Sequence, residues 1–138
     1  MRYISRQQLL EGLGFLCKDP DCSWSYINEQ EKQICFCVWV DHEVEPHTFL
    51  ALSDTWQEEQ IHPGYNQMID HIGKFKDKRL GYEAYVLVQR AEDENERPRK
   101  IKELVFEQLF PATITEKISD TVHQIYAKVH FDSEPLTL

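Results

Sequence analysis

No apolar run in this chain approaches the ~20 residues needed to cross a bilayer as a helix. The first ten residues hold no apolar h-region of the kind that marks a secretory signal. Both absences point to a cytoplasmic protein with no membrane partner. The catalytic signatures are missing as well. There is no G-x-S-x-G, no P-loop, no G-x-G-x-x-G, no H-E-x-x-H and no C-x-x-C. None of the six histidines shows zinc spacing. No cofactor is expected, and the chain reads as a non-enzyme.

Cysteine is sparse, at Cys17, Cys22, Cys35 and Cys37. C-x4-C and C-x-C match zinc knuckles poorly. Cys35 and Cys37 lie in an apolar run, where a free thiol behaves as a small hydrophobe. Buried thiols are the expectation, with a zinc site or a disulfide as alternatives.

What is present suits one globular domain. A chain of 138 residues, 41% hydrophobic and 12% aromatic, can build a core without staples. The formal net charge is −9, which argues against nonspecific binding to nucleic acid. Positive charge is nevertheless concentrated. Residues 74–102 carry nine basic side chains against six acidic ones, so a local basic face on an acidic body is conceivable alongside a plain solvated surface.

Patterning predicts an α+β fold. Ser5 and Gln8 form a capping box for a short helix that ends near Glu11, before Gly12 and Gly14. Strands are expected over 23–28, 33–41, 48–53, 82–90, 100–107 and 123–131, with 113–118 ambiguous. The 33–41 strand is apolar on both faces and therefore central. The 48–53 strand is expected to return from it as a hairpin. Pro63 opens the main helix, with Tyr65, Met68, Ile69, Ile72 and Phe75 as its apolar stripe. Pro111 should end a strand, and residues 132–138 should be loose. The sum is a curved, mainly antiparallel sheet or small open barrel, with the Pro63 helix across an opening.

The richest segment runs from Leu52 to Ile72. It combines Ser53, Trp56, Tyr65, Asn66, Gln67 and His71 around a Pro-Gly helix start. A helix start favours an anion. Amides can pair with a base edge, and indole or phenol rings can stack on a base. The plainer reading makes Tyr65 core, Trp56 a loop anchor and the amides solvated. A metal-dependent nuclease can also be drawn, using Asp41 with Glu29, Glu31 and Lys32.

Trp24-Ser25-Tyr26, Phe36-Cys37-Val38-Trp39-Val40-Asp41, Leu52-Ser53-Asp54-Thr55-Trp56-Gln57, Pro63-Gly64-Tyr65-Asn66-Gln67, His71-Ile72, Gly81-Tyr82 and Arg99-Lys100-Ile101-Lys102 form an ordered series. This series resembles a family of domains found ahead of His-Asn-His endonuclease domains in bacterial restriction-type proteins. The resemblance implies a DNA-reading role, perceiving a modified base flipped into an aromatic pocket of a pseudouridine-synthase-associated type of fold. Under that reading Trp39, Trp56 and Tyr65 line the pocket. Asp41, Ser53, Asn66, Gln67 and His71 read the base. Lys74, Lys76, Arg97, Arg99, Lys100 and Lys102 contact the backbone. The chain departs from the pattern in lacking a nuclease domain and in being acidic. An acidic protein-interaction or inhibitor domain is the alternative.

Overall fold

The computed structural model describes residues 5–16, 24–53, 63–93, 95, 101–118 and 123–138, with residues 63–66 described in their backbone only. Among the described residues two helices and eight strands form an α+β fold on a mostly antiparallel sheet. The elements are α1 (Arg6–Gly12), β1 (Ser25–Asn28), β2 (Gln33–Trp39), β3 (Glu43–Glu45), β4 (Thr48–Ser53), α2 (Pro63–Lys76), β5 (Glu83–Ala91), β6 (Ile101–Leu104), β7 (Phe110–Ile118) and β8 (His123–Val129). A single 3₁₀ turn, Val40–His42, follows β2. The strand order is β1-β2-β5-β7-β8-β4-β3, with β6 also paired to β5. The sheet is open; it does not close into a barrel.

β2 is the centre, as its two-sided apolar sequence predicts. It pairs antiparallel with β1 and parallel with β5 over its whole length, from Gln33 opposite Glu83 to Trp39 opposite Gln89. With both edges occupied, β2 has no ladder left for β4. The expected hairpin between them is therefore replaced. The chain turns after Trp39, and the short exposed strand β3 pairs with β4 instead. The other edge of β5 is shared. Tyr85 and Val86 meet Pro111 and Phe110 of β7, while Gln89 to Ala91 meet β6. Pro111 thus lies within β7 rather than ending a strand. It sits where β7 leaves β5 and continues along β8, a place where its missing N–H is tolerated. β3 and β7 raise the strand count from the expected six to eight.

Alternation along β2 and β5 divides the interior into two cores. Cys35, Cys37, Tyr85 and Leu87 point to one face, where α1 covers them with Leu9 and Leu10. A seven-residue helix is too short to persist alone. The reciprocal Ser5–Gln8 capping box closes its first turn. Leu9 and Leu10, both fully buried, each contribute about 1.5–3 kcal/mol. Ile34, Phe36, Val38, Val86 and Val88 point to the other face, into one cluster with Phe49, Leu52, Met68, Ile72, Ile125, Ala127 and Val129. Inward residues of β4 and β8 share a core with β2 and β5, so the sheet curls over on itself and α2 packs into the concavity.

The carboxyl end of the chain is not loose. Leu136 and Leu109 exchange backbone hydrogen bonds of 3.0 and 2.8 Å.

Candidate functional site

The direction of α2 organises the candidate residues. His71 Nδ1 lies 2.7 Å from the Ser25 hydroxyl of β1, level with Phe36 in the β1–β2 ladder. Six residues beyond the helix, Tyr82 lies by Lys32 at the start of β2, and the Glu83 N–H donates to the Lys32 carbonyl. The carboxyl end of α2 is therefore at the amino end of β2. The helix runs antiparallel to β2 and directs Pro63 toward the end of the sheet that carries Trp39 and Asp41.

Met68, His71 and Ile72 are the buried face of α2, with Phe75 half-buried. Ile69, expected in that stripe, is 39% exposed. His71 takes its place, because the helix presents the arc through 68, 71, 72 and 75 to the sheet. Burial pushes the His71 imidazole below its ordinary value; the Asp70 carboxylate works against this and the Lys74 ammonium adds to it. Burial thus favours the neutral ring. A Ser–His pair is the minimal nucleophile–base arrangement. Here Ser25 is fully buried and His71 is 5% exposed, so the pair holds α2 against β1 and offers nothing to a substrate.

Trp39 is half-buried at the last position of β2. Its register places it on the face of Cys35 and Cys37, opposite the face against which His71 packs. The two can approach one ligand only at the rim of the sheet. Asp41 lies in the 3₁₀ turn just beyond, 3.8 Å from the His42 imidazole. Ser53 is buried at the end of β4, opposite Gln124 of β8. Gln67 is half-buried on α2. Trp56, Arg97, Arg99 and Lys100 lie outside the described residues, as do the side chains of Tyr65 and Asn66.

Of the backbone-binding candidates, Lys74 pairs with Asp70 at 3.7 Å and Lys76 pairs with Glu116, while Lys102 is exposed on β6. Other cations of the basic segment are also engaged: Arg79 with Asp77 at 3.0 Å and Arg90 with Glu103 at 3.1 Å.

The nuclease grouping is not assembled. Glu29, Glu31 and Lys32 belong to the turn before β2 and Asp41 to the turn after it, with seven strand residues, about 20 Å, between them. Among the described residues no group of three or more His, Cys, Asp or Glu side chains could hold a metal ion. Cys35 and Cys37 are free buried thiols, as expected; Cys17 and Cys22 lie outside the described residues. Burial and the neighbouring Cys37 push the Cys35 thiol well up, whereas hydrogen bonding to Cys35 lowers that of Cys37 against its burial, assisted by Arg6.

Two features escaped the sequence. Phe106, Phe110 and Phe131 form a ring cluster with centroids 5.0–5.4 Å apart, and His47 meets Phe131 edge-on at 5.0 Å. His47 and Phe131 are remote in sequence from Phe106 and Phe110, so no local pattern announces the cluster. The second is Gln89, 2% exposed at the end of the apolar run of β5. A lone amide closing such a run was its only signal.

No protein-family model, curated protein or solved structure matches the chain.

Proposed function

We propose that the domain is a non-catalytic recognition module for DNA that holds a base, modified cytosine being the first choice, at the carboxyl end of β2. One observation carries this reading: the parallel ladder of β2 with β5 closes with Trp39 opposite Gln89, two residues before β5 itself ends, and α2 directs its first turn to that same end. Ligands of open sheets settle at the carboxyl ends of parallel strands. The free N–H groups of a helix start suit a phosphate.

In this reading Trp39 supplies the stacking surface, worth about 1–3 kcal/mol per base, which offsets the few kcal/mol spent on flipping. Asp41 accepts from an exocyclic amino group. Gln67 contributes from the second turn of α2, and Trp56, Tyr65 and Asn66 are the further candidates offered by the sequence alone. His71, buried, becomes a positioning residue, whereas Ser53 closes β4 at the other end of the sheet and takes no part. Lys102, with Arg97, Arg99 and Lys100, supplies the phosphate contacts, since Lys74 and Lys76 are already paired.

Fluorescence anisotropy with short duplexes carrying cytosine or modified cytosine, at about 50 mM salt, tests the reading. Binding should weaken with salt. Trp39→Ala should weaken it by about tenfold or more, as expected for a lost stacking partner. Absence of binding to any duplex at low salt rejects the proposal.

A second reading rests on the ion pairs that consume the basic segment. Lys74, Lys76, Arg79 and Arg90 are each neutralised by a carboxylate, and the chain as a whole carries a formal net charge of −9, suited to a basic protein partner. A pull-down recovering nucleic acid alone would count against it.

A further inference from the structure

The convex face of β4, β8 and β7 belongs to neither core. α1 covers the core built on β2 and β5, and α2 packs into the concavity. Phe49, Ile125, Ala127, Val129 and Ile114 point into that concavity, so their neighbours along each strand point outward. The ladder registers set these outward residues in rows. Lys128 stands between Thr113 and Thr48, Tyr126 between Thr115 and Leu50, and Gln124 between Lys117 and Ser53. Thr113, Thr115, Lys117 and Lys128 are exposed, and Tyr126 is half-buried.

The charge of this face is opposite to that of the molecule. The chain has 24 acidic residues and a net charge of −9, yet no Asp or Glu occupies any of the rows. Carboxylates stand beyond them, Glu45 on β3 and Glu83 on β5. Lys117 and Lys128 have no ion pair among the described residues, unlike Lys74, Lys76, Arg79 and Arg90. The screening length is about 8 Å at physiological salt, so a polyanion lying here feels mainly the charges of this face.

The ring and the two ammonium groups are in line. The Lys117 row and the Lys128 row are four residues of β8 apart, about 14 Å, with Tyr126 midway. The Tyr126 hydroxyl donates to Gln124 Oε1 at 2.6 Å, which leans the ring along the strand. The Thr113 hydroxyl lies 2.7 Å from His130 Nε2, whereas those of Thr115, beside the ring, and Thr48, beside Lys128, have no partner among the described residues.

The geometry points to a docking surface for single-stranded RNA, with one base stacked on Tyr126 and the flanking phosphates on Lys117 and Lys128. A ring on an open sheet face meets only unpaired, splayed bases, which excludes a duplex. Phosphates match a face with cations and no carboxylate. The unpaired hydroxyls of Thr115 and Thr48 can each donate and accept, as the ribose 2′-hydroxyl does, and that group separates RNA from DNA. The surface is apart from the carboxyl end of β2, and neither reading depends on the other.

The test uses the full chain and fluorescence anisotropy at about 50 mM salt, with a labelled RNA of about twelve nucleotides, the DNA of the same sequence and the RNA duplex. Single-stranded RNA should bind at least about fivefold more tightly than the other two. Tyr126→Ala should weaken it by about tenfold, whereas Tyr126→Phe, which keeps the ring, should stay within about threefold of wild type. Two phosphate contacts give a slope of log K against log salt of about −1.4, and Lys117→Gln with Lys128→Gln should bring it close to zero.

No binding of single-stranded RNA at low salt overturns the inference. So does equal binding of the DNA, or binding that survives both the Tyr126→Ala and the paired lysine variants. Binding of duplexes alone, lost in Trp39→Ala, overturns it while supporting the site at the end of β2. A chain that self-associates and becomes monomeric in the paired lysine variant also overturns it, since the bare face would then serve a second copy. Both lysines are exposed, so that variant keeps the inference falsifiable even if Tyr126→Ala does not fold.

Discussion

The Ser25 hydroxyl and the His71 imidazole lie 2.7 Å apart in the seam between β1 and α2, with both side chains buried. This contact fastens the helix to the sheet. Ser25→Ala leaves one imidazole nitrogen without its partner. The expected loss is about 1–3 kcal/mol by urea denaturation.

The same pair makes stability depend on pH. Burial lowers the His71 pKa in the folded state, so between that lowered value and the ordinary value near 6.5 the unfolded chain binds the extra proton. Stability is fully present above about pH 6.5 and declines as the pH falls through the window beneath it. Denaturation midpoints measured from pH 7.5 to 5 should show this decline. His71→Gln should flatten it, and an unchanged slope in that variant would place the effect elsewhere.

Two cores on opposite faces of one sheet should fail independently. Leu10→Ala empties a site under α1, and Ile125→Ala empties one in the concavity. Each should cost about 2–5 kcal/mol. The double variant should lose the sum within about 0.5 kcal/mol, because the sites share no cluster. Strong coupling between them would show one core rather than two.

Gly14 and Gly73 should respond oppositely to alanine. Gly14 has φ +93°, and an added Cβ would stand 2.8 Å from Asn28 Nδ2. That amide is held by bonds to the Leu13 carbonyl and the Glu31 N–H. Gly14→Ala should cost at least about 1 kcal/mol. Gly73 is helical and exposed, with open space around its Cβ position. Gly73→Ala should add about 0.5–1 kcal/mol. Thermal melts of the two variants decide the matter.

Glu116 joins α2 to β7 and β8, through Lys76 and through His123 at 2.9 Å. Hydrogen bonding from Lys76, with a smaller part from His123, holds its carboxyl below the ordinary range. This contribution is present above about pH 4.3 and is lost as the pH falls through the lowered value. Lys76→Met should raise the Glu116 pKa in an NMR titration. The stability change should stay within about 1 kcal/mol, since the pair is solvent-exposed.

Period and local chemistry alone determined the α+β class, the capped first helix, the Pro63 helix and the central two-sided strand. These depend on contacts within a few residues, or on alternation that any buried strand must show. Which strands pair was beyond that reach. The parallel partnership of β2 with β5 joins segments some 50 residues apart, and it was set by the need to occupy both edges of a strand buried on both faces. The helical stripe could not say that His71 rather than Ile69 turns inward, because the choice depends on the Ser25 hydroxyl waiting across the seam. The meeting of Trp39 with Gln89 likewise exists only once the parallel ladder is in register. Local sequence records propensity and periodicity; the neighbours across a sheet are decided by long-range burial, and the candidate site is made of such neighbours.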